Sequence, residues 1–304
     1  DSMAELYSIF CTAKSKLLND LEIPCCYVMY EAMARIICIA SPLAGAGKTT
    51  AAINLSAAFA VFEQKTLLVD CAADNHCLPG TVIEPPANTP GLAQALQRRE
   101  DVGHYCLSTR LEYLRVLPAG QDLDQAIIAP NAAAEAGQWF AEMLCAQARE
   151  HDVIVLDTAT ALNGMLAQAL CNADELLILM RIDPPAVRQM DTGFASLRQL
   201  LEKAARLRKA EKSELRVSGI LLNCCDDLLD AEALLGPGTL EQIRHACLPV
   251  SIPEDQRLHE AYRLGKPAVC HDIAAPGAQA YLDLAALWGR ARGKSKAEEK
   301  EVHP

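Results

Sequence analysis

Several common signatures are missing from these 304 residues. No stretch approaches the roughly eighteen consecutive apolar residues of a membrane-spanning helix. The first residues, DSMAELYSIF, include acidic side chains where a secretion signal has basic ones, so a cytoplasmic protein is expected. Thirteen cysteines are present but no CxxC, which removes the short repeated spacing of zinc ribbons and iron–sulfur sites. They read as reduced, mostly buried thiols. The histidines form no HxH or HxxxH pair, and no repeat recurs at a fixed period. A net charge of −11 argues against polyanion binding over the whole surface. What remains is an ordinary globular composition, 51% apolar and 22% charged, long enough for a substantial core.

The most informative stretch is Arg35 to Phe62. Ile36, Ile37, Cys38, Ile39 and Ala40 form an apolar run expected of a strand buried on both faces. Ser41 to Gly47 follows as a loop of small residues, and Lys48-Thr49-Thr50 opens a segment with Ala51, Leu55, Ala58 and Phe62 on one helical face. Strand, glycine loop and helix is the context of a phosphate-binding loop. Its backbone N–H groups cradle phosphates, Lys48 reaches the terminal ones, and the Thr49 hydroxyl can hold Mg²⁺. The usual glycine six residues before the lysine is replaced by Pro42.

Further strands are expected at Thr66–Asp70, Leu111–Gly120, His151–Asp157, Leu176–Met180 and Val217–Asn223, with a last short one at Pro249–Ile252. Helices are expected at Ala132–Glu150, Pro185–Leu207 and Ala278–Arg290, with a short one beginning at Gly91. This alternation predicts an α/β fold: a doubly wound, mainly parallel sheet with helices on both faces, as in P-loop NTPases. Ligands in such sheets bind beyond the carboxyl ends of the strands, where the loop, Asp70, Asp157 and Asn223 all fall. Residues 1–32 read as a helical N-terminal extension, 33–292 as one domain, and 293–304 as a charged, unordered tail. Met33 is a plausible alternative start.

These residues resemble the ParA/MinD family of deviant Walker P-loop ATPases. The likeness is carried by ARIICIASPLAGAGKTTAAINLSAAFA, LLVDCAADN, LRVLPAG, HDVIVLDTAT, RIDPPAVRQM, GILLNCC and VSIPEDQRLHEAYRLGKPAV, in that order. It implies ATP or ADP and Mg²⁺ as ligands, with Ala44, Gly45, Ala46, Gly47, Lys48, Thr49 and Thr50 around the phosphates. It also implies Asn223, Pro253 and Asp255 at the adenine, Thr49 and Asp157 at the metal, and Lys48, Asp70 and Asp157 as the catalytic set. Partners implied are a second copy of the chain, joined with ATP, and proteins of a membrane-associated assembly of the polysaccharide-secretion, pilus or flagellum type. Recruitment to the inner membrane face or a cell pole would follow.

Departures from the family pattern bear on activity. Leu43 stands where the family has its signature lysine, Ala44 where it has the next glycine, and Ala72 where switch I has its second acid, Asp74 being the nearest substitute. Switch II reads Asp157-Thr158-Ala159-Thr160, without the usual proline. Losing a well-placed charge donor costs on the order of 3 to 4 kcal/mol of transition-state stabilisation. A slow or impaired ATPase is therefore expected, with an inactive ATP-binding scaffold as the alternative. A tyrosine-kinase-like role is weak because no tyrosine follows Tyr281. The basic run Lys203, Arg206, Arg208, Lys209, Lys212 and Arg216 is diluted by Glu202, Glu211 and Glu214, so DNA binding and a partitioning role are less expected. Tyr281, Leu284, Ala285 and Trp288 recur on one helix face beside a basic tail. That face is expected to pack on the sheet, peripheral membrane contact being the other possibility.

Overall fold

The computed structural model describes residues 34–72, 75–82, 88–123, 132–159, 164–207, 215–226 and 228–301. The expected N-terminal extension, Asp74, Thr160 and the cations Arg208, Lys209 and Lys212 lie outside them.

Seven strands form one sheet among these residues: β1 (Arg35–Ala40), β2 (Thr66–Cys71), β3 (Leu107–Ser108), β4 (Leu114–Leu117), β5 (Val153–Thr158), β6 (Glu175–Arg181) and β7 (Arg216–Asn223). Their order is β3-β4-β2-β5-β1-β6-β7, parallel throughout except for the edge pair β3–β4. The helices are α1 (Lys48–Val61), α2 (Leu92–Arg98), α3 (Ala132–Gln147), α4 (Gly164–Asn172), α5 (Pro184–Val187) and α6 (Met190–Leu207). After β7 come α7 (Leu228–Leu235), α8 (Pro237–Ile243), α9 (Gln256–Arg263), α10 (Ala268–His271) and α11 (Pro276–Glu301). This is the expected doubly wound architecture.

Alternation along each strand divides the core in two. Ile36, Cys38 and Ala40 of β1 join Leu67, Val69, Ile154, Leu156, Leu176 and Ile178 beneath residues of α2, α3, α4 and α6. Ile37 and Ile39 join Leu68, Val155, Leu177, Leu179 and Leu221 beneath residues of α1, α9 and α11. Helix α1 differs from the expected one-sided helix: Ala51 through Ala60 are all buried. The alanines and serine at its surface let the sheet and α11 both close on it, as a helix buried all round requires. Phe59 meets Trp288 of α11 edge to face, with ring centroids 6.1 Å apart.

Three further expectations are corrected. Pro249–Ile252 forms no strand and pairs with β7 at the isolated bridge Asn223↔Ile252, with prolines at 249 and 253 limiting a longer ladder. The helix expected over Pro185–Leu207 is two helices. In the first, Asp183 accepts from Ala186 N at 2.8 Å with proline at the start, and Gln189 N bonding Ala186 O tightens its last turn to a close. Helix α11 continues to Glu301, through most of the segment expected to be unordered. Lysine, alanine and glutamate there are good helix formers.

Candidate functional site

The site lies beyond the carboxyl ends of the central strands. After β1 the chain turns through Ser41, whose Oγ accepts from Leu43 N at 3.1 Å, and enters α1 at Lys48. Gly45 and Gly47 have φ of +69° and +91°, the left-handed region that glycine adopts without cost. Pro42 is absent from the positive-φ positions, so the missing first glycine costs this loop no backbone conformation. Gly47 is also spatially required, since a Cβ there would stand 2.5 Å from Asn223 Nδ2. Gly45 has open space around it and is needed for its φ alone. The first N–H groups of α1 have no capping side chain, leaving the helix N-terminus as an anion-binding end.

Asp70 and Asp157 end adjacent strands as direct register partners, and both are fully buried. Thr49 Oγ1 donates to Asp157 Oδ2 at 2.7 Å, which ties the first turn of α1 to the end of β5. Asp70 accepts from the backbone N–H groups of Ala72 (3.0 Å) and Cys77 (2.9 Å) and so shapes the loop after β2. Burial pushes Asp70 up to about 7, with the nearby Asp157 charge adding to the rise. Burial also raises Asp157, against the lowering pull of the Thr49 and Cys77 hydrogen bonds and the Lys48 charge. Lys48, 8% exposed, is lowered by burial while Asp157 draws it back up. Two buried carboxylates side by side are relieved by a proton on one of them or by a cation, and Lys48 supplies part of that positive charge.

The donor set fits Mg²⁺. A hard cation takes oxygen ligands, Thr49 Oγ1 and the Asp157 carboxylate supply them, and Asp157 Oδ1 is a buried oxygen with no hydrogen-bond partner.

Ala44 and Gly45 are exposed at the loop tip, and Ala46 is buried. Asn223, expected at an adenine, here donates from Nδ2 to Ala46 O at 2.7 Å and so supports the loop from the end of β7. Asp255 caps α9 through Arg257 N and also accepts from Gly277 N at 2.9 Å, which joins the Pro253–Asp255 turn to the start of α11. Leu43, in the signature-lysine position, is 8% exposed, and a Cβ on Gly193 of α6 would lie 3.0 Å from its Cδ2.

Two participants were not found in the sequence. Cys77 Sγ donates to Asp157 Oδ2 at 3.4 Å, and Tyr262 of α9 donates to His76 O at 2.9 Å, joining α9 to the loop after β2. Neither belongs to a local motif, because each partner is more than 75 residues away in sequence.

Strand–loop–helix geometry, a lysine at the helix start and paired strand-end aspartates define a P-loop nucleotide-binding protein. A family model described as "AAA domain" matches residues 34–217. The chromosome partitioning protein ParA of Myxococcus xanthus is 30% identical over 259 residues, covering 84% of this chain and 88% of the relative. The sporulation initiation inhibitor protein Soj of Bacillus subtilis is 30% identical over 259 residues, 83% of this chain and 97% of the relative. In fold, the septum site-determining protein MinD of Pyrococcus horikoshii OT3, solved as a complex with Mg-ADP, superposes with a TM-score of 0.66. It is 24% identical, over 86% of this chain and 98% of that one. The chain belongs to the ParA/MinD family of P-loop ATPases.

Proposed function

We propose that this protein is a Mg-ATP-responsive switch of weak or absent hydrolytic power, which pairs with a second copy when ATP is bound. The observation that carries this reading is the contrast within one loop. The binding half is intact, from the left-handed glycines to the Thr49–Asp157 hydrogen bond, while Leu43 turns an apolar side chain into α6 where the family carries a cation. Lys48 and the N–H groups at the start of α1 would hold the phosphates, and Thr49 and Asp157 the Mg²⁺, which when bound neutralises phosphate charge. Asn223, Pro253 and Asp255 remain the residues we assign to the base. Asn223 would then exchange its bond to Ala46 O for the nucleotide. Ala72 leaves the loop after β2 without its second acid, which supports slow turnover.

Single-turnover hydrolysis with purified protein tests the reading. A rate well below ordinary enzymatic turnover, with ATP bound and a dimer in light scattering, is the expected result. Turnover of many ATP per second would overturn it, and a rate equal to free ATP would leave an ATP-binding scaffold.

For the cellular task, we propose the positioning of a membrane-associated protein assembly. A second reading, a DNA-partitioning role, is supported by the names of the two relatives at 30% identity. Against it, Arg216 of the basic run is held by Glu175. DNA retention with ATP at low salt, lost by moderate salt and absent without ATP, would establish that second reading.

A further inference from the structure

The loop after β2 places a thiol in the pocket of the two aspartates, and nothing in the nucleotide reading uses it. Asp70, Cys77 and Asp157 each offer a ligand atom, and these atoms lie within 4.8 Å of one another. All three residues are fully buried. The Cys77 Sγ to Asp157 Oδ2 separation is 3.4 Å. Tetrahedral zinc, with Zn–S near 2.3 Å and Zn–O near 2.1 Å, sets sulfur and oxygen about 3.6 Å apart, so this pair stands close to ligand spacing. Within the cluster, Asp157 Oδ1 is a buried oxygen without a hydrogen-bond partner, the same atom that the nucleotide reading offers to Mg²⁺, and it pays a desolvation cost until a cation or donor reaches it.

We propose that Asp70, Cys77 and Asp157 form a site for a borderline-soft divalent cation of the zinc class in the nucleotide-free protein. Magnesium would leave the sulfur unused, since it prefers oxygen and near-octahedral geometry. A zinc-class ion takes thiolate and carboxylate together, and the Thr49 hydroxyl or a water completes four-coordination. Binding breaks the Cys77 S–H bond: the sulfur keeps the electron pair and gives it to the metal, and the proton leaves to solvent. The ion would also take the Asp157 carboxylate that the nucleotide reading gives to Mg²⁺, so zinc and Mg-nucleotide occupancy exclude one another. The inference shares residues with the nucleotide reading but not its ligand. The variant that tests ATP binding, Lys48→Ala, leaves all three donors in place, so either idea can fail alone.

Cobalt(II) is the probe, because a thiolate bound to it gives a near-ultraviolet charge-transfer band that carboxylates do not. Full-length protein purified with chelator is dialysed against Co²⁺ without nucleotide, and zinc affinity is measured by competition with a chromophoric chelator. One Co²⁺ per chain with that band is expected. The band should vanish in Cys77→Ser and persist in Cys145→Ser, an exposed cysteine. Zinc affinity should fall more than about a hundredfold in Cys77→Ser, beyond the roughly 10- to 100-fold that loss of an outer-sphere partner costs. Should Cys77→Ser not fold by circular dichroism, Asp70→Asn replaces it, and the expected result is the same weakening of more than about a hundredfold. No band at saturating Co²⁺, or a band and affinity untouched by these variants, overturns the site.

Discussion

Lys48 is a residue whose charge a bound phosphate would use. It begins α1, is 8% exposed, and its charge lowers the pKa of Asp157. Lys48→Ala installs a better helix former at the first position of α1. We expect ATP affinity to fall at least about a hundredfold, the weight of a lost charged contact of roughly 3 kcal/mol, while the fold stays intact. Titration with a fluorescent ATP analogue and a thermal melt check both halves; equal affinity in mutant and wild type removes the P-loop assignment.

Leu43 poses a different question at the same scale. Its side chain and Pro42 lie so close to Gly193 that a Cβ there would meet Pro42 O at 2.7 Å. A lysine at 43 would have to leave that contact and turn its ammonium outward. The double substitution Leu43→Lys with Ala44→Gly returns the family's pair. We expect ATP turnover to rise by about 10²-fold in the ATP-bound dimer, the effect of one oriented cation at developing charge. Unchanged turnover in a dimer verified by light scattering would locate the deeper lesion at Ala72. The sequence revealed the substitution but not its direction, because nothing local says that Gly193, 150 residues on, opens a space for Leu43.

Among the elements, β6 and α11 are fastened at a point remote from the site. Glu175 starts β6 and is 5% exposed. Its Oε1 faces Arg35 (3.1 Å) and Arg216 (2.5 Å), and its Oε2 accepts from Ser218 (2.6 Å) and Trp288 Nε1 (2.8 Å). Burial alone would raise its pKa, but Ser218, Arg216 and Trp288 outweigh that and hold it below the ordinary value. A carboxyl depressed in the folded state stabilises above its unfolded pKa and loses that stabilisation as pH falls through the folded one. Glu175→Gln should therefore destabilise the protein by about 3 kcal/mol at neutral pH, the lower end for breaking a buried ion pair. The gap to wild type should narrow below about pH 4.5, the usual carboxylate range. Urea unfolding of both proteins at pH 7 and pH 4 measures it, and a gap constant across that range would deny the ionised role.

At this scale the sequence was readable where burial is uniform. The apolar runs of β1, β2, β5 and β6 are those of strands covered on both faces, and all four are buried along almost their whole length. It was less readable where tertiary contact decides. Leu107–Ser108 is too short to carry a period, and Ile252 pairs with Asn223 at one position only. The break between α5 and α6 has no glycine or proline of its own to announce it. Likewise Cys77 looks like any small buried residue until β5 brings Asp157 to it.

For the whole molecule, the position of α11 decides how the protein meets a lipid surface. Tyr281, Leu284, Ala285 and Trp288 are all buried against α1 and the sheet, so the apolar side that could have entered a bilayer is already occupied. Among the described residues no helix is long and apolar enough to cross a membrane. Co-sedimentation with anionic liposomes should show no binding by this helix, with or without ATP, and a chain ended after Gly289 should behave the same. ATP-dependent pelleting that disappears on truncation would require α11 to undock.

The reach of the Trp288 contact also sets a timetable. Arg35 Nη1 donates to the Trp288 carbonyl at 3.4 Å across 253 positions of chain. At roughly 5–20 residues per second of synthesis, the first strand waits about 13 to 50 seconds before its partner has been made. Through that interval the part of α1 that α11 covers stays bare, and it gains that cover only once Trp288 has been made. A nascent chain stalled or cut short before Trp288 is thus a sticky object with most of its strands already present, one for chaperones to hold until release.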